Sequence, residues 1–123
     1  MRPKRSSINK YAPQMRVYNR YSHTWKPYIM FSNASNLRTE VLNTDHLGLR
    51  FNSTYNDKFR PKNIFDQKNG KNERGAIFGA STAFGLGASK DEATISSQLS
   101  KDTDVFFYNL GISALTGFQE VVL

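Results

Sequence analysis

Cysteine is absent from the 123-residue chain, which excludes a disulfide framework and thiolate metal sites. Long hydrophobic runs are lacking too. The apolar stretch at residues 105–108 is far shorter than the roughly 20 residues of a membrane-spanning helix. Polar residues 6–10 follow the basic start, where a secretion signal would have its apolar region. We therefore expect no transmembrane segment and no signal peptide, no motif predicts a metal or a cofactor, and the compartment stays unknown.

Acidic residues are scarce, and the charges are unevenly distributed. Residues 1–75 contain fifteen Lys/Arg and five Asp/Glu, a net charge of +10, whereas residues 76–123 contain two Lys/Arg and five Asp/Glu, a net charge of −3. A basic leading segment is either a solvated surface or an arm that attracts an anionic polymer. No nucleic-acid-binding motif accompanies the charges, so no specific nucleic acid partner is predicted.

The leading part of the chain lacks a regular hydrophobic period. Residues 1–24 keep neither the helical period of 3.6 nor the strand period of 2, so an extended or frayed segment is predicted. Pro27 interrupts the apolar stretch 25–31, which favours an edge strand or a clamp across the main domain. A polar loop or linker is predicted ahead of residue 75. We therefore divide the chain into a basic, irregular segment at 1–74 and the first part of an α/β domain at 75–123.

A strand, a helix and a second strand are predicted in the second part. The first strand includes the apolar residues 77–78, and the continuous apolar run 105–110 is typical of a parallel strand covered on both faces. Between them, residues 88–100 have helical periodicity. Ser89, followed three residues later by Glu92, predicts a capping box at the helix start. The apolar side of this helix is predicted to consist of Ala93, Ile95 and Leu99.

This order of elements defines the fold class as α/β. One β-α-β unit indicates the start of a flavodoxin-like, three-layer parallel sheet. Two parallel strands alone leave apolar surface uncovered, because parallel sheets are normally buried by helices on both faces. We therefore predict that the domain is incomplete and that these residues are the leading part of a longer protein. An open sheet edge would favour association.

The glycine-rich turn after the first strand has three interpretations. A phosphate-binding P-loop requires Gly, four residues and then Gly-Lys-Ser/Thr, and neither Gly79 nor Gly85 begins that pattern. A dinucleotide fingerprint requires a small residue where Lys90 stands, so it is a weak competitor. In the third interpretation, the turn places the hydroxyl of Ser81 at the carboxyl end of a strand, where open α/β sheets bind their ligands.

Two blocks of residues resemble the SGNH (GDSL-type) hydrolase family. Gly79-Ala80-Ser81, with Gly85 after it, is similar to the first signature block of that family, Gly-Asp-Ser-x-x-x-Gly. Asn109-Leu110-Gly111-Ile112-Ser113-Ala114 resembles the second block, which has Asn, three residues, Ser and Gly. Residues 43–50 are also similar to a segment that precedes the hydrolase domain in some bacterial members. The resemblance spans residues 40–123.

The resemblance implies an ester hydrolase or acyltransferase that forms an acyl-serine intermediate. It makes Ser81 the nucleophile and the backbone N–H groups of Ser81 and Ala114 the oxyanion-hole donors. The residues that would support the turn are Gly79, Gly85, Asn109 and Gly111. The implied substrate is a small ester or an O-acylated carbohydrate. Such chemistry needs a base that takes the serine proton and preset donors for the oxyanion.

The chain departs from the family's pattern at several positions. Ala80 stands in place of the usual aspartate, and Ala114 replaces a glycine, which keeps the N–H but adds a methyl group. The third block, Gly-x-Asn-Asp, is absent, and no Asp-x-x-His follows Ser81. Both histidines, His23 and His46, precede the serine and are not assigned to catalysis. We therefore expect little or no activity from these 123 residues alone.

The alternative function is a non-catalytic α/β domain whose basic arm binds an anionic polymer, such as nucleic acid or an acidic polysaccharide. Polar residues also have structural interpretations that compete with catalytic ones. Arg50 would pair with a carboxylate of the fold or hold an anionic group of the substrate, and the ion pair within the fold is favoured. Asn109 and Ser113 are predicted to tie down the loop after the second strand. Asp45 beside His46 would fit a proton relay, but an exposed pair in a turn is the commoner arrangement.

Overall fold

A computed structural model describes residues 10–28, 30–52, 63–67 and 71–113. Among these residues the chain is a mixed α/β structure with two separate two-stranded sheets, one antiparallel and one parallel. Its elements in chain order are α1 (Met15–Arg20), β1 (His23–Lys26), β2 (Met30–Asn33), β3 (Glu73–Gly79), α2 (Ser81–Phe84), α3 (Ile95–Asp102) and β4 (Val105–Gly111). Short 3₁₀ turns occur at Ile64–Asp66 and Asp91–Ala93.

The leading segment is more regular than its sequence predicts. The prediction of an extended or frayed start is wrong for residues 15–20, which form α1 because Tyr18 is buried against the rest of the chain. The strand expected near Pro27 is one half of a hairpin, in which β1 and β2 pair antiparallel and Pro27 lies in the turn. Trp25 pairs with Phe31 in this hairpin, yet 63% of Trp25 stays exposed.

The loop between β2 and Asn52 is held by side chains that bond to the backbone. Asp45 Oδ1 accepts hydrogen bonds from the N–H groups of Leu47 and Leu49, both at 2.9 Å, and Asp45 Oδ2 accepts one from Ile64 N at 3.1 Å. These bonds satisfy backbone donors in a segment that has only isolated β-bridges among its described residues. A single buried carboxylate therefore organises this loop.

The second part of the chain contains the predicted parallel strand pair. β3 and β4 run in register from Glu73 opposite Val105 to Gly79 opposite Gly111, and α2 and α3 lie between them in sequence. The prediction of a strand, a helix and a parallel strand is confirmed. β3 begins at Glu73, ahead of the apolar pair at 77–78, because pairing requires backbone groups and not apolar side chains. Phe78 remains 59% exposed, so one face of β3 is not covered by the described residues.

The helix between the strands differs from its prediction at its start and in its buried face. A 3₁₀ turn at Asp91–Ala93 comes first, and Thr94 is the N-cap of α3, with its Oγ1 accepting from Ser97 N at 3.3 Å. The capping box at Ser89 and Glu92 is therefore wrong. Ile95 and Leu99 are 44% and 36% exposed, whereas the buried side of α3 consists of Ser96, Ser97 and Ser100.

Hydrogen bonding explains why serines face inward. Ser100 Oγ accepts from Phe107 N of β4 at 2.8 Å and donates to Ser96 O at 2.7 Å. Ser97 Oγ contacts the carbonyls of Asn52 and Asp91. Because small hydroxyls satisfy these backbone groups, α3 packs close to β4 without an apolar stripe.

A small apolar cluster joins the two parts of the chain. It consists of Tyr18, Leu42 and Phe84, with Met15 and Val41 among the partly buried residues at its margin. Burying an apolar side chain of this size contributes roughly 1.5–3 kcal/mol. The cluster therefore fixes the leading segment against α2, the short helix that opens with Ser81.

Candidate active site

Ser81 lies at the carboxyl edge of the parallel strands. β3 ends at Gly79, and Ser81 is the first residue of α2, a helix of only four residues. The strand register ends at the pair Gly79 and Gly111, so Ser81 and Ser113 both lie two residues beyond it. This is the edge where open α/β sheets bind ligands.

The hydroxyl of Ser81 is accessible and has no protein partner in the described part of the chain. Ser81 is half-buried, and its Oγ makes no hydrogen bond to any described residue. It contributes to the wall of a surface cleft of about 340 Å³. The cleft is lined by Ser81, Thr82, Gly85, Leu86, Ala88, Ala93, Thr94 and Ile95. The side chain is therefore not sealed in the core, as a purely structural serine would be.

The backbone N–H of Ser81 is also without a partner among the described residues. The first residues of a helix have no intrahelical acceptor for their N–H groups, so this donor is available to a ligand. The second expected donor, the N–H of Ala114, lies outside the described residues. Of the two expected donors, the structure therefore describes only the N–H of Ser81.

Two glycines allow α2 to pack against its neighbours. A Cβ atom at Gly111 would lie 2.2 Å from Phe84 N, so the end of β4 touches the backbone of α2 directly. Gly85 ends α2 with φ of +83°, and a Cβ there would meet Thr94 Cγ2 at 2.7 Å. Both positions require glycine because a Cβ atom would overlap a neighbouring segment, and that neighbour cannot be identified from the sequence of the turn. Gly79, with φ of +145°, also has a positive φ, at the end of β3.

Asn109 connects β4 to the serine turn. Its side chain is completely buried, Oδ1 accepts from Gly111 N at 3.0 Å, and Nδ2 donates to Phe84 O at 3.4 Å. Ile112 N donates to Gly79 O at 3.0 Å beside it. Asn109 thus joins the end of β4 to α2, and it does not line the cleft of Ser81.

Side chains of the leading segment hold the loop that follows α2. Arg50 Nη1 donates to Phe84 O at 3.3 Å and to Gly85 O at 2.8 Å. Tyr18 Oη contacts Ala88 O at 2.9 Å, and Gln14 Nε2 donates to Gly87 O at 3.2 Å. Sequence analysis missed Gln14 and Tyr18, because their contacts lie about 70 residues away and no periodic pattern marks them.

Arg50 and Asp91 form an ion pair in the interior. The distance from Arg50 Nε to Asp91 Oδ1 is 2.8 Å, and neither side chain is exposed. Asn43 Nδ2 donates to the other carboxylate oxygen at 2.6 Å. Burial raises the pKa of the Asp91 carboxyl above its ordinary value, although Arg50 and Asn43 oppose that rise. The prediction that Arg50 pairs with a carboxylate of the fold is confirmed.

One histidine contacts a serine at the same edge. His23 Nε2 lies 2.5 Å from Ser113 Oγ, and Ser113 N donates to Asn33 Oδ1 at 2.9 Å. Ser113 is only 2% exposed, so a substrate carbonyl has no access to its hydroxyl. Both contacts tie down the loop after β4, as the sequence predicts for Ser113. Ser113 is buried, whereas His23 is exposed on β1, and the pair links β1 to the end of β4.

The other histidine has no relay through its neighbour Asp45. His46 is exposed, whereas Asp45 is buried, so the expected exposed pair is wrong for Asp45. Its Oδ1 accepts from Leu47 N within the loop, and its Oδ2 accepts from Ile64 N outside it. No group of three or more His, Cys, Asp or Glu residues is arranged for a metal ion within the described residues. No helix there is long and apolar enough to cross a membrane.

No protein-family model matches the chain, and no curated protein matches it. Functional conclusions therefore rest on the residues and on the geometry at the strand edge.

Proposed function

We propose that Ser81 is the nucleophile of an SGNH-type ester hydrolase or acyltransferase. The observation that carries this proposal is the position of its side chain. Ser81 follows the carboxyl end of a parallel strand directly, its Oγ has no partner among the described residues, and it borders a surface cleft. A serine that only caps a helix would place its hydroxyl on a nearby backbone N–H.

The proposal includes a finer description of the fold. We infer that β3, α3 and β4 are the first unit of a flavodoxin-like, three-layer sheet. The parallel register and the exposed face at Phe78 support this inference, because parallel sheets are normally covered on both faces. Further strands and helices would supply that cover.

The chemistry follows from the two free groups of Ser81. Its Oγ attacks the carbonyl carbon of an ester while a base takes the hydroxyl proton. The Ser81 N–H donates to the oxyanion, and the resemblance assigns Ala114 N–H the same role. Each such donor contributes roughly 10²–10³-fold in rate. Collapse of the intermediate breaks the ester C–O bond, and the proton passes from the base to the departing alcohol.

A second step completes the turnover. Water attacks the acyl-serine in a hydrolase, and an acceptor alcohol attacks it in a transferase. The base takes the proton of the attacking molecule, and the proton returns to Ser81 when the acyl bond breaks. Neither His23 nor His46 bonds to Ser81 in the described structure, so by resemblance the base belongs to an Asp-x-x-His motif beyond these residues. The proposed substrates are a small ester or an O-acylated carbohydrate.

The experiment is covalent labelling of the complete natural protein with a fluorophosphonate probe. We expect one labelled peptide that contains Ser81, and no labelling of the Ser81→Ala variant. Ser113→Ala is the matched control, since Ser113 lies at the equivalent place beyond β4 but is buried. Labelling that persists in Ser81→Ala, or an intact wild type that takes no label, would overturn the proposal.

The second candidate is the anionic-polymer-binding domain with a basic arm. Arg16 and Arg20 are exposed one turn apart on α1, which gives this candidate some support. Arg50, however, is buried in an ion pair with Asp91. Arg38 contacts the carbonyls of Leu37 and Thr44. A salt-sensitive affinity for nucleic acid or an acidic polysaccharide without labelling of Ser81 would favour this candidate.

A further inference from the structure

The short helix α2 cannot hold Ser81 in place by its own hydrogen bonds. With four residues it is barely one turn, and an isolated turn of helix is unstable. The carbonyl of Ser81 accepts from Gly85 N at 3.0 Å and from Leu86 N at 2.9 Å. The orientation of Ser81 therefore depends on where the backbone at residues 85–86 is fixed.

Arg50 fixes that backbone. Its Nη1 donates to the carbonyls of Phe84 and Gly85, which are the last of α2 and the first beyond it. Such terminal carbonyls have no intrahelical donor, and a guanidinium charge there is favoured by the helix dipole. A Cβ atom built at Gly85 would lie 3.2 Å from Nη1, so Arg50 is in close contact with the turn.

Arg50 is itself held from several sides. Its Nε donates to Asp91 at 2.8 Å and its Nη2 donates to Val41 O at 2.9 Å. Nη1 also donates to Tyr18 Oη at 3.0 Å, and the Tyr18 ring lies 5.9 Å from the guanidinium carbon. These contacts fix the orientation of the planar Arg50 guanidinium. Its hydrogen bond then fixes the position of the Gly85 carbonyl.

We propose that Arg50 is a positioning residue for Ser81: it fixes the end of α2 and thereby the direction of the serine Oγ and N–H. This inference depends on the proposed nucleophile for its effect on reaction rate. Its structural part, that Arg50 fixes the turn, stands independently. Arg50 does not line the cleft, so it acts through the backbone of α2.

The Arg50→Lys variant distinguishes the effect of the positive charge from the effect of the guanidinium geometry. Arg50→Lys keeps a cation beside Asp91, but one ammonium group cannot reach Asp91, Val41 O and Gly85 O together. Displacing a reacting group by about 1 Å costs on the order of 100-fold in rate. We therefore expect the Arg50→Lys variant to react at least about tenfold more slowly at Ser81.

The experiment measures fluorophosphonate inactivation of the complete natural protein together with amide hydrogen exchange. The rates are normalised to the folded fraction of each variant. We expect the maximal inactivation rate to fall in Arg50→Lys while the probe concentration at half-maximal rate stays unchanged. Protection of the amides of Gly85 and Leu86 should fall as well, because these N–H groups donate to the Ser81 carbonyl.

A destabilised control separates positioning from general loss of stability. Ile64 is completely buried and lies at the Asp45 loop, away from α2. Ile64→Val or Ile64→Ala, whichever matches Arg50→Lys in global stability, should label at the wild-type rate and keep the protection of Gly85 and Leu86. Tyr18→Phe, which removes one partner of Arg50, should show a smaller loss of about threefold and serves if Arg50→Lys does not fold.

The outcomes are distinguishable. Wild-type inactivation rates in both Arg50→Lys and Tyr18→Phe would overturn the positioning role, as would an equal loss in the Ile64 control. If the wild type takes no label, the proposed nucleophile fails. The exchange of Gly85 and Leu86 then decides the structural part, and unchanged protection in Arg50→Lys would overturn it.

Discussion

The leading segment at residues 10–52 and the strand–helix–strand at residues 71–113 are stabilised in different ways. The second region is built on a backbone ladder, in which β3 and β4 pair over seven residues. Besides α1, the first has only a short hairpin and isolated bridges among its described residues, and polar side chains such as Asp45 and Arg50 satisfy its backbone. We therefore expect the stability of each region to respond to a different kind of substitution. The strand pair should be destabilised most by a larger side chain at a close contact, and the leading segment by the loss of a polar side chain that bonds to the backbone.

The largest effect is expected where volume is added at the end of the ladder. In Gly111→Ala the new Cβ would overlap the backbone of Phe84, which cannot rotate away, and we expect a loss of about 3 kcal/mol in unfolding free energy. Denaturant unfolding measures it. Gly75→Ala is the control, because its Cβ meets the Phe107 ring, a side chain that can turn aside. An equal cost at both positions would contradict the assignment of this contact to backbone.

A loss of about 2 kcal/mol is expected where the leading segment loses an acceptor. In the wild type, the two carboxylate oxygens of Asp45 accept from backbone N–H groups such as those of Leu47 and Ile64. In Asp45→Asn an amide NH₂ replaces one of these oxygens and faces a backbone N–H, so a buried donor is left unpaired. The matched control is Asp66→Asn, since Asp66 is exposed. If both substitutions leave the denaturation midpoint unchanged, side-chain acceptors do not organise this loop.

A cost of about 1 kcal/mol is expected for removing the cap of α3. Thr94→Ala removes the oxygen that accepts from Ser97 N, whereas Ser89→Ala changes a residue that precedes the 3₁₀ turn and should be neutral. Thermal unfolding of the two variants compares them directly. A larger loss of stability in Ser89→Ala than in Thr94→Ala would instead support the capping box that the sequence predicts.

The last effect is confined to alkaline pH and lies at the boundary between the regions. Burial raises the pKa of Tyr21 from 10.0 to about 12, and its Oη donates to Asn33 Oδ1 at 2.5 Å. The folded state favours the neutral phenol, so this stability is complete below pH 10 and is lost as the pH rises through about 12. Unfolding free energies between these pH values, compared with Tyr21→Phe, measure it. A variant that loses stability as steeply as the wild type in this range would show that Tyr21 is not its source.

Sequence pattern was a better guide to the second region than to the first. The apolar run at 105–110 predicted β4, and the small residues after 78 predicted the turn that carries Ser81. Both signals are local, because strand pairing and tight turns restrict residue type directly. The helix face was misread, since the buried residues of α3 are serines whose partners lie in β4 and at Asn52.

The supports of the candidate site were largely beyond prediction. Arg50 was recognised as the partner of a carboxylate, but not as a donor to the turn behind Ser81. Tyr18 and Gln14 gave no signal, because hydrogen bonds between distant segments leave no period in the sequence. Side chain–backbone contacts of this kind become visible only when the chain is folded.

The order of residues alone determined that a hydroxyl follows a strand and that a second strand comes after a helix, since backbone preferences act over a few neighbours. Tertiary structure decided that Arg50, which lies 35 residues earlier in the chain, donates a hydrogen bond to Gly85 O at the end of α2. It also decided that a charged pair is buried, and that serines rather than isoleucine and leucine face inward on α3. These outcomes depend on which polar groups meet when distant segments pack, and each buried polar group must find a partner there.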